Sequence, residues 1–151
     1  MRTREEKKEN QKTTDIRKVV PDFDRWPNSW MGTKEDLEYG KKMLPLVERF
    51  IRYLMVQDLS RKTLKDYIDN VWVLGGTIIR DVSISNEHKE DPRQKILEAV
   101  ECGGCLPEPS ANMNEWELAS FERMCRRFEG FLKKSSKGGV LDAKKGTKRN
   151  L

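Results

Sequence analysis

The chain has 151 residues, 36% of them charged and 36% hydrophobic, which suits one modest domain with part of the chain left outside its core. No apolar run approaches the length of a membrane span, and the N-terminus lacks the apolar core of a signal peptide, so a cytoplasmic protein is expected. The formal charge of +5 sits at the ends: residues 1–20 hold seven Lys/Arg against four Asp/Glu, residues 133–151 seven against one, and residues 21–132 sixteen against twenty. Any nucleic-acid contact in the middle therefore needs a local patch, because the overall field there is weakly acidic.

Residues 1–20 are charged and carry no sustained apolar stripe, which reads as a disordered arm. Residues 21–32 contain Pro21, Pro27, Phe23, Trp26, Trp30 and Met31. The prolines favour an extended backbone. The aromatics suit a strap packed on helices, or alternatively an exposed motif that binds a protein partner through Trp26 and Trp30. A helix is expected after Thr33, a good N-cap with Asp36 at the third helical position. Pro45 either kinks this helix or starts a second one. From Leu46, the residues Val47, Phe50, Ile51, Leu54 and Met55 recur at helical spacing and define a buried face over about 46–57.

Ser60 caps the next predicted helix, near 60–80, with Leu59 and Leu64 placed for a hydrophobic staple. Its stripe comprises Leu64, Ile68, Val71, Trp72, Ile78 and Ile79, with Trp72 expected in the core. Gly75-Gly76 falls inside this pattern, where each glycine costs about 1 kcal/mol relative to alanine. A close helix crossing, a kink or an early helix end would each account for the pair. Residues 83–90 are polar and read as a loop. A short helix over about 92–101 follows, with Asp91 as cap, Pro92 in first position and Ile96, Leu97 and Val100 facing inward. The last helix, near 114–133, is capped by Asn114 with Glu117 reaching back. Leu118, Phe121, Cys125, Phe128 and Leu132 form its apolar stripe. The expected fold is all-α: a small bundle of about four helices spanning 21–134, with a disordered basic tail over 135–151.

The segment Leu59-Ser-Arg-Lys-Thr-Leu-Lys-Asp-Tyr67 resembles the core-binding (SAM-like) N-terminal domain of tyrosine recombinases, the phage integrase family. Ser60, Thr63 and Tyr67 match that family's Ser-x-x-Thr-x-x-x-Tyr helix opening, and Leu46–Met55 matches its preceding apolar helix. The resemblance covers about residues 46–80. It implies a small helical unit that grips DNA beside a catalytic domain. The motifs of that catalytic domain do not occur in these residues, so recombinase activity by this chain alone is not expected: His88 is followed at the third position by Asp91 instead of arginine, and no tyrosine occurs after Tyr67. The resemblance thus implies a free-standing DNA-binding unit, an accessory or remnant of a mobile element. Physical chemistry adds that Ser60, Arg61, Lys62, Thr63 and Lys65 gather hydroxyls and cations at one helix N-terminus, which suits a phosphate.

The remaining motifs point away from catalysis. Cys102-Gly-Gly-Cys105 follows a helix and accompanies no strand, so it reads as a plain turn rather than a redox or zinc site. His88, the only histidine, lies among polar residues and reads as solvated, with no nucleophile or oxyanion motif to serve. Arg123, Arg126 and Arg127 read as a solvated helix face. No enzyme activity, cofactor or metal is expected. The leading functional expectation is DNA binding through residues 60–65. The alternative is a small regulatory, antitoxin-like protein that binds another protein through Trp26, Trp30 or a helix face.

Overall fold

The computed structural model describes residues 15–101 and 113–139, with side chains as far as Lys134. The fold is all-α, and no strand occurs among the described residues. In chain order the elements are α1 (Ile16–Val19), a 3-10 turn (Phe23–Arg25), α2 (Trp26–Trp30), α3 (Lys34–Met55), α4 (Arg61–Ser85), α5 (Pro92–Val100) and α6 (Glu115–Gly139). The chain divides into two compact units, Met1–Lys95 and Ile96–Leu151.

In the first unit, α3 and α4 pack on one another as a helical hairpin, and α2 packs on both. Helix α3 starts in a complete capping box: the Thr33 hydroxyl accepts from the Asp36 amide, and the Asp36 carboxylate accepts from the Thr33 amide. This satisfies two of the amides that a helix start leaves without partners. Pro45 lies inside α3 without ending it. Its ring and the neighbouring Lys41 are exposed, so the carbonyl that loses its amide partner lies on the solvent side of the helix. Met43, Val47, Phe50, Ile51 and Leu54 are buried along the inner face. Helix α4 runs five residues past its expected end and stops at Asn86, which adopts the left-handed conformation (φ 55°). Asparagine tolerates this geometry at a helix C-terminus better than branched residues do.

The strap is helical instead of extended, which corrects the reading of residues 21–32. Proline at the second position of α2 needs no amide partner, so Pro27 starts that helix instead of forbidding it. Phe23, Trp26 and Pro27 are buried. Trp30 lies against α4 at the glycine pair, where a Cβ on Gly75 would come 2.2 Å from Trp30 Cζ2. Gly40 of α3 receives Pro27 in the same way, with Pro27 Cβ 3.0 Å from where a Cβ on Gly40 would stand. Gly75-Gly76 therefore marks a close crossing and not a helix end. Nor is the N-terminal arm unstructured to residue 20: Asp15 caps α1, and Ile16 and Val20 are buried. Arg17 donates two hydrogen bonds to Asp24, at 2.8 and 2.7 Å. Those bonds hold the Asp24 carboxyl below the ordinary carboxylate range.

Trp72 is not a core residue. It is 42% exposed, because its own α4 turn presents it at the edge of the strap. There its indole Nε1 donates to Ser29 Oγ (3.0 Å) while its carbonyl accepts from Trp30 Nε1 (3.0 Å). His88 also departs from expectation. It is not solvated but hydrogen-bonds Asp36 Oδ1 through Nε2 at 2.7 Å, and its ring stands edge-on to Tyr39. The cause is Asp36, a 2% exposed carboxylate that needs partners once removed from water.

Helix α5 begins at Pro92 after Asp91, as expected, and Ile96 and Val100 are buried. In the second unit, the Asn114 side chain accepts from the Glu117 amide and the Glu117 carboxylate accepts from the Asn114 amide, closing the expected cap of α6. Phe121, Met124, Cys125, Phe128 and Leu132 are buried on one face of α6, and Arg123, Arg126 and Arg127 are exposed on another. Helix α6 continues to Gly139, into the region expected to be tail. Residues 1–14, residues 102–112 with the turn expected at Cys102–Cys105, and residues 140–151 lie outside the described residues. No described helix is long and apolar enough to cross a membrane. No group of three or more His, Cys, Asp or Glu among the described residues could hold a metal ion.

Candidate functional site

The five residues singled out between positions 60 and 65 come together at the start of α4. Ser60 is extended (φ −66°, ψ 158°), and its Oγ accepts from the Thr63 amide at 3.1 Å and donates to Thr63 Oγ1 at 2.9 Å. Both hydroxyls are therefore engaged with each other and with the cap. Lys62 pairs with Asp66 at 3.0 Å and Lys65 with Asp69 at 3.3 Å, each one helical turn on, with both lysines about three-quarters exposed. Arg61 is exposed.

This helix start is electrostatically unfavourable on its own. The first turn of α4 contains no acidic residue, and cations near a helix N-terminus oppose the dipole by about 0.3–1 kcal/mol each at low ionic strength. The pairs to Asp66 and Asp69 return about 0.2–0.5 kcal/mol each, with lysine preceding the acid, which is the weaker orientation. The balance leaves the first-turn cations Arg61 and Lys62 gaining from an external anion, with Lys65 one turn further on.

Beside this patch runs a groove that sequence reading did not anticipate. It occupies about 1770 Å³ between residues 18–26, the loop after α3 and the first three turns of α4. Buried Val20, Trp26, Leu54, Met55 and Ile68 form its floor, and Leu59 and Leu64 are half-buried in it. Val19, Val56 and Trp72 stand at its lips, with Val56 67% exposed. Its charged residues balance in sign: Lys18, Arg61 and Lys65 against Asp22, Asp58 and Asp69. The volume exceeds the roughly 300–1,000 Å³ of small-molecule sites. An open apolar trough along a helix is the form that accepts another helix.

The signal for this groove was partly local. Leu64, Ile68 and Trp72 recur every fourth residue, and the staple residue Leu59 precedes them. The contribution of residues 18–22 was not readable, because it depends on how the strap folds back. Of the two tryptophans considered for partner contact, Trp26 is buried in the groove floor and Trp30 is half-buried against Gly75.

A second polar cluster surrounds Asp36. Its Oδ2 accepts from the Gly32 and Thr33 amides, both at 3.0 Å, and its Oδ1 bonds His88 Nε2. Burial pushes the carboxyl up. The hydrogen bonds from His88, from the two amides and from Ser83 outweigh that effect and hold it below the ordinary carboxylate range. Tyr39 adds a hydrogen bond from its hydroxyl to the Glu90 carbonyl at 3.0 Å. This cluster ties the loop after α4 to the start of α3.

No protein-family model, curated protein or solved structure matches this chain.

Proposed function

We propose that this chain is a non-catalytic protein-interaction module whose groove between the strap, the 56–60 loop and α4 receives an amphipathic helix of a protein partner. The observation that carries this reading is the apolar trough bounded by Val56 and Trp72 and rimmed by charges of both signs. A nucleic acid would use the cations of such a rim but leave its apolar floor unexplained, and Asp58 and Asp69 would face phosphates. Tryptophan at the edge of a desolvated pocket is also a frequent anchor of protein interfaces.

The test is capture with the full chain as bait in nuclease-treated extract of its source cells, beside a Val56→Glu variant. Position 56 is exposed, so the variant keeps its fold while placing a charge on the groove lip. A protein held stoichiometrically by the parent and lost by Val56→Glu supports the reading. Retention by both baits removes the groove from the explanation.

A second reading has its own support in the cations of the first turn of α4, which oppose its dipole. There, DNA backbone contact through Ser60, Arg61, Lys62, Thr63 and Lys65 would give the helix start the anion it lacks. This is the function implied by the recombinase-like helix opening. It predicts duplex binding that survives Val56→Glu and is lost with Arg61→Ala.

A further inference from the structure

We infer that the occupant of the groove is a second copy of this chain, with the first halves of the two α4 helices lying antiparallel across a two-fold axis. The inference rests on the protein-interaction reading and gives its partner an identity.

The order of charge along α4 carries the argument. Lys62 and Lys65 precede Asp66 and Asp69, each lysine four residues before its acid, and all four lie along one edge of the helix. A two-fold axis near the midpoint of Lys65 and Asp66 reverses the order in the second copy. The cationic turn of each copy then faces the acidic turn of the other. A parallel arrangement would set like charges together. A strongly acidic partner would meet Asp58 and Asp69, and a strongly basic one Arg61 and Lys65, so neither gains from a rim of balanced sign. An identical chain in reverse order sets Lys62 against Asp69 and Lys65 against Asp66 at the edge of the groove.

The apolar lips obey the same operation. At about 1.5 Å per residue, Trp72 lies about 10 Å from the midpoint in one direction, and the helix start at Arg61 lies about 7 Å away in the other. The loop bearing Val56 leads into that start. Antiparallel pairing therefore lays the Val56 loop of each copy beside Trp72 of the other, joining the two most exposed large apolar side chains of the groove. A contact of this kind is isologous and closes at two copies.

The test is sedimentation of the full chain from micromolar to submillimolar concentration, with circular dichroism confirming that each variant retains the parent helical content. The parent should self-associate to a dimer. Lys62→Glu combined with Lys65→Glu should weaken it about tenfold or more, a loss of about 1.4 kcal/mol, and Asp66→Lys combined with Asp69→Lys should do the same. An equimolar mixture of the two reversed proteins should restore association as a mixed dimer. Val56→Glu should weaken the parent dimer without touching the charge order. A monomeric parent throughout the range overturns the inference, as does a reversed variant or Val56→Glu that dimerises like the parent. Failure of the mixture of folded reversed proteins to associate overturns it as well. A monomeric parent that still captures a different protein through a Val56-sensitive contact removes the second copy alone and leaves the groove reading standing. Loss of both removes the groove.

Discussion

The indole of Trp30 occupies the space that a side chain at position 75 would need, with Trp30 Cζ2 2.2 Å from where a Cβ on Gly75 would stand. The same indole donates its N–H to the Trp72 carbonyl, and the Trp72 indole returns a bond to Ser29. The strap is thus seated on α4 by shape and by two directed hydrogen bonds. It follows that Gly75→Ala destabilises the fold by about 1–3 kcal/mol through overpacking, although alanine elsewhere in a helix gains about 1 kcal/mol over glycine. Gly76→Ala, whose nearest contact is Trp30 Cδ1 at 3.3 Å, should stay within about 1 kcal/mol of the parent. Urea unfolding followed by circular dichroism measures both. In a Trp30→Ala background the Gly75→Ala change should become neutral or stabilising. If it remains costly there, the glycine is needed for some reason other than the indole.

Asp36 gives a pH dependence with a definite sign. Its folded-state carboxyl is held below the ordinary range by His88, the Gly32 and Thr33 amides and Ser83, against the upward push of burial. The unfolded chain therefore takes up the proton first as pH falls. The stability due to this carboxylate is complete above its unfolded pKa, about 3.9, and is lost as pH drops through the depressed folded value. Asp36→Asn should cost about 2–3 kcal/mol at neutral pH, since buried hydrogen bonds to a charged acceptor are lost. The gap between parent and variant should stay constant down to about pH 5 and narrow below about pH 4. A gap unchanged at acid pH would mean that the ionised carboxylate is not the source of the stability.

What the sequence made legible was local. Thr33 with Asp36, Ser60 with Thr63, and Asn114 with Glu117 mark helix starts by chemistry confined to four residues, and the structure closes each cap. The apolar stripes of α3, α4 and α6 were legible for the same reason. Trp72 was misplaced because helical spacing identifies a stripe but not which of its edges the neighbouring element covers. His88 was misplaced because its partner lies 52 residues away and hydropathy carries no record of such a pairing. The groove shares this non-local origin. One wall is a periodic face of α4 and could be seen, whereas the opposing wall at residues 18–22 is placed by contacts distant in sequence, as α1 packs on α3.

Cys125 offers a chemical check on the second unit. Its side chain is fully buried on the apolar face of α6, and a thiol enclosed by apolar groups is protected from alkylating reagents. Iodoacetamide should modify Cys125 far more slowly in the native protein than in urea, as followed by mass spectrometry of its peptide. Modification at equal rates in both would place the thiol at the surface and contradict the packing of the α6 stripe.

The last prediction separates tail charge from docking at α4. Removing residues 140–151 deletes Lys144, Lys145, Lys148 and Arg149 against the single acid Asp142, and leaves α6 whole to Gly139. Counterion release ties salt dependence to the number of phosphates neutralised. Loss of four cations should therefore flatten a plot of log affinity against log salt by up to about 4. Under the groove reading, the shortened chain should not bind a short random duplex near physiological salt. Replacing Arg61, Lys62 and Lys65 with Gln should then change nothing further. The physical reason is that Asp66 and Asp69 lie within 3.0 and 3.3 Å of the two lysines, so a phosphate approaching the first turn of α4 also approaches two carboxylates. Filter binding at several salt concentrations supplies the measurement. Residual binding by the shortened chain that disappears with the three glutamines would reverse the order of the two readings. It would mean that the cationic helix start outweighs those carboxylates and that the recombinase-like opening of α4 is a phosphate clamp.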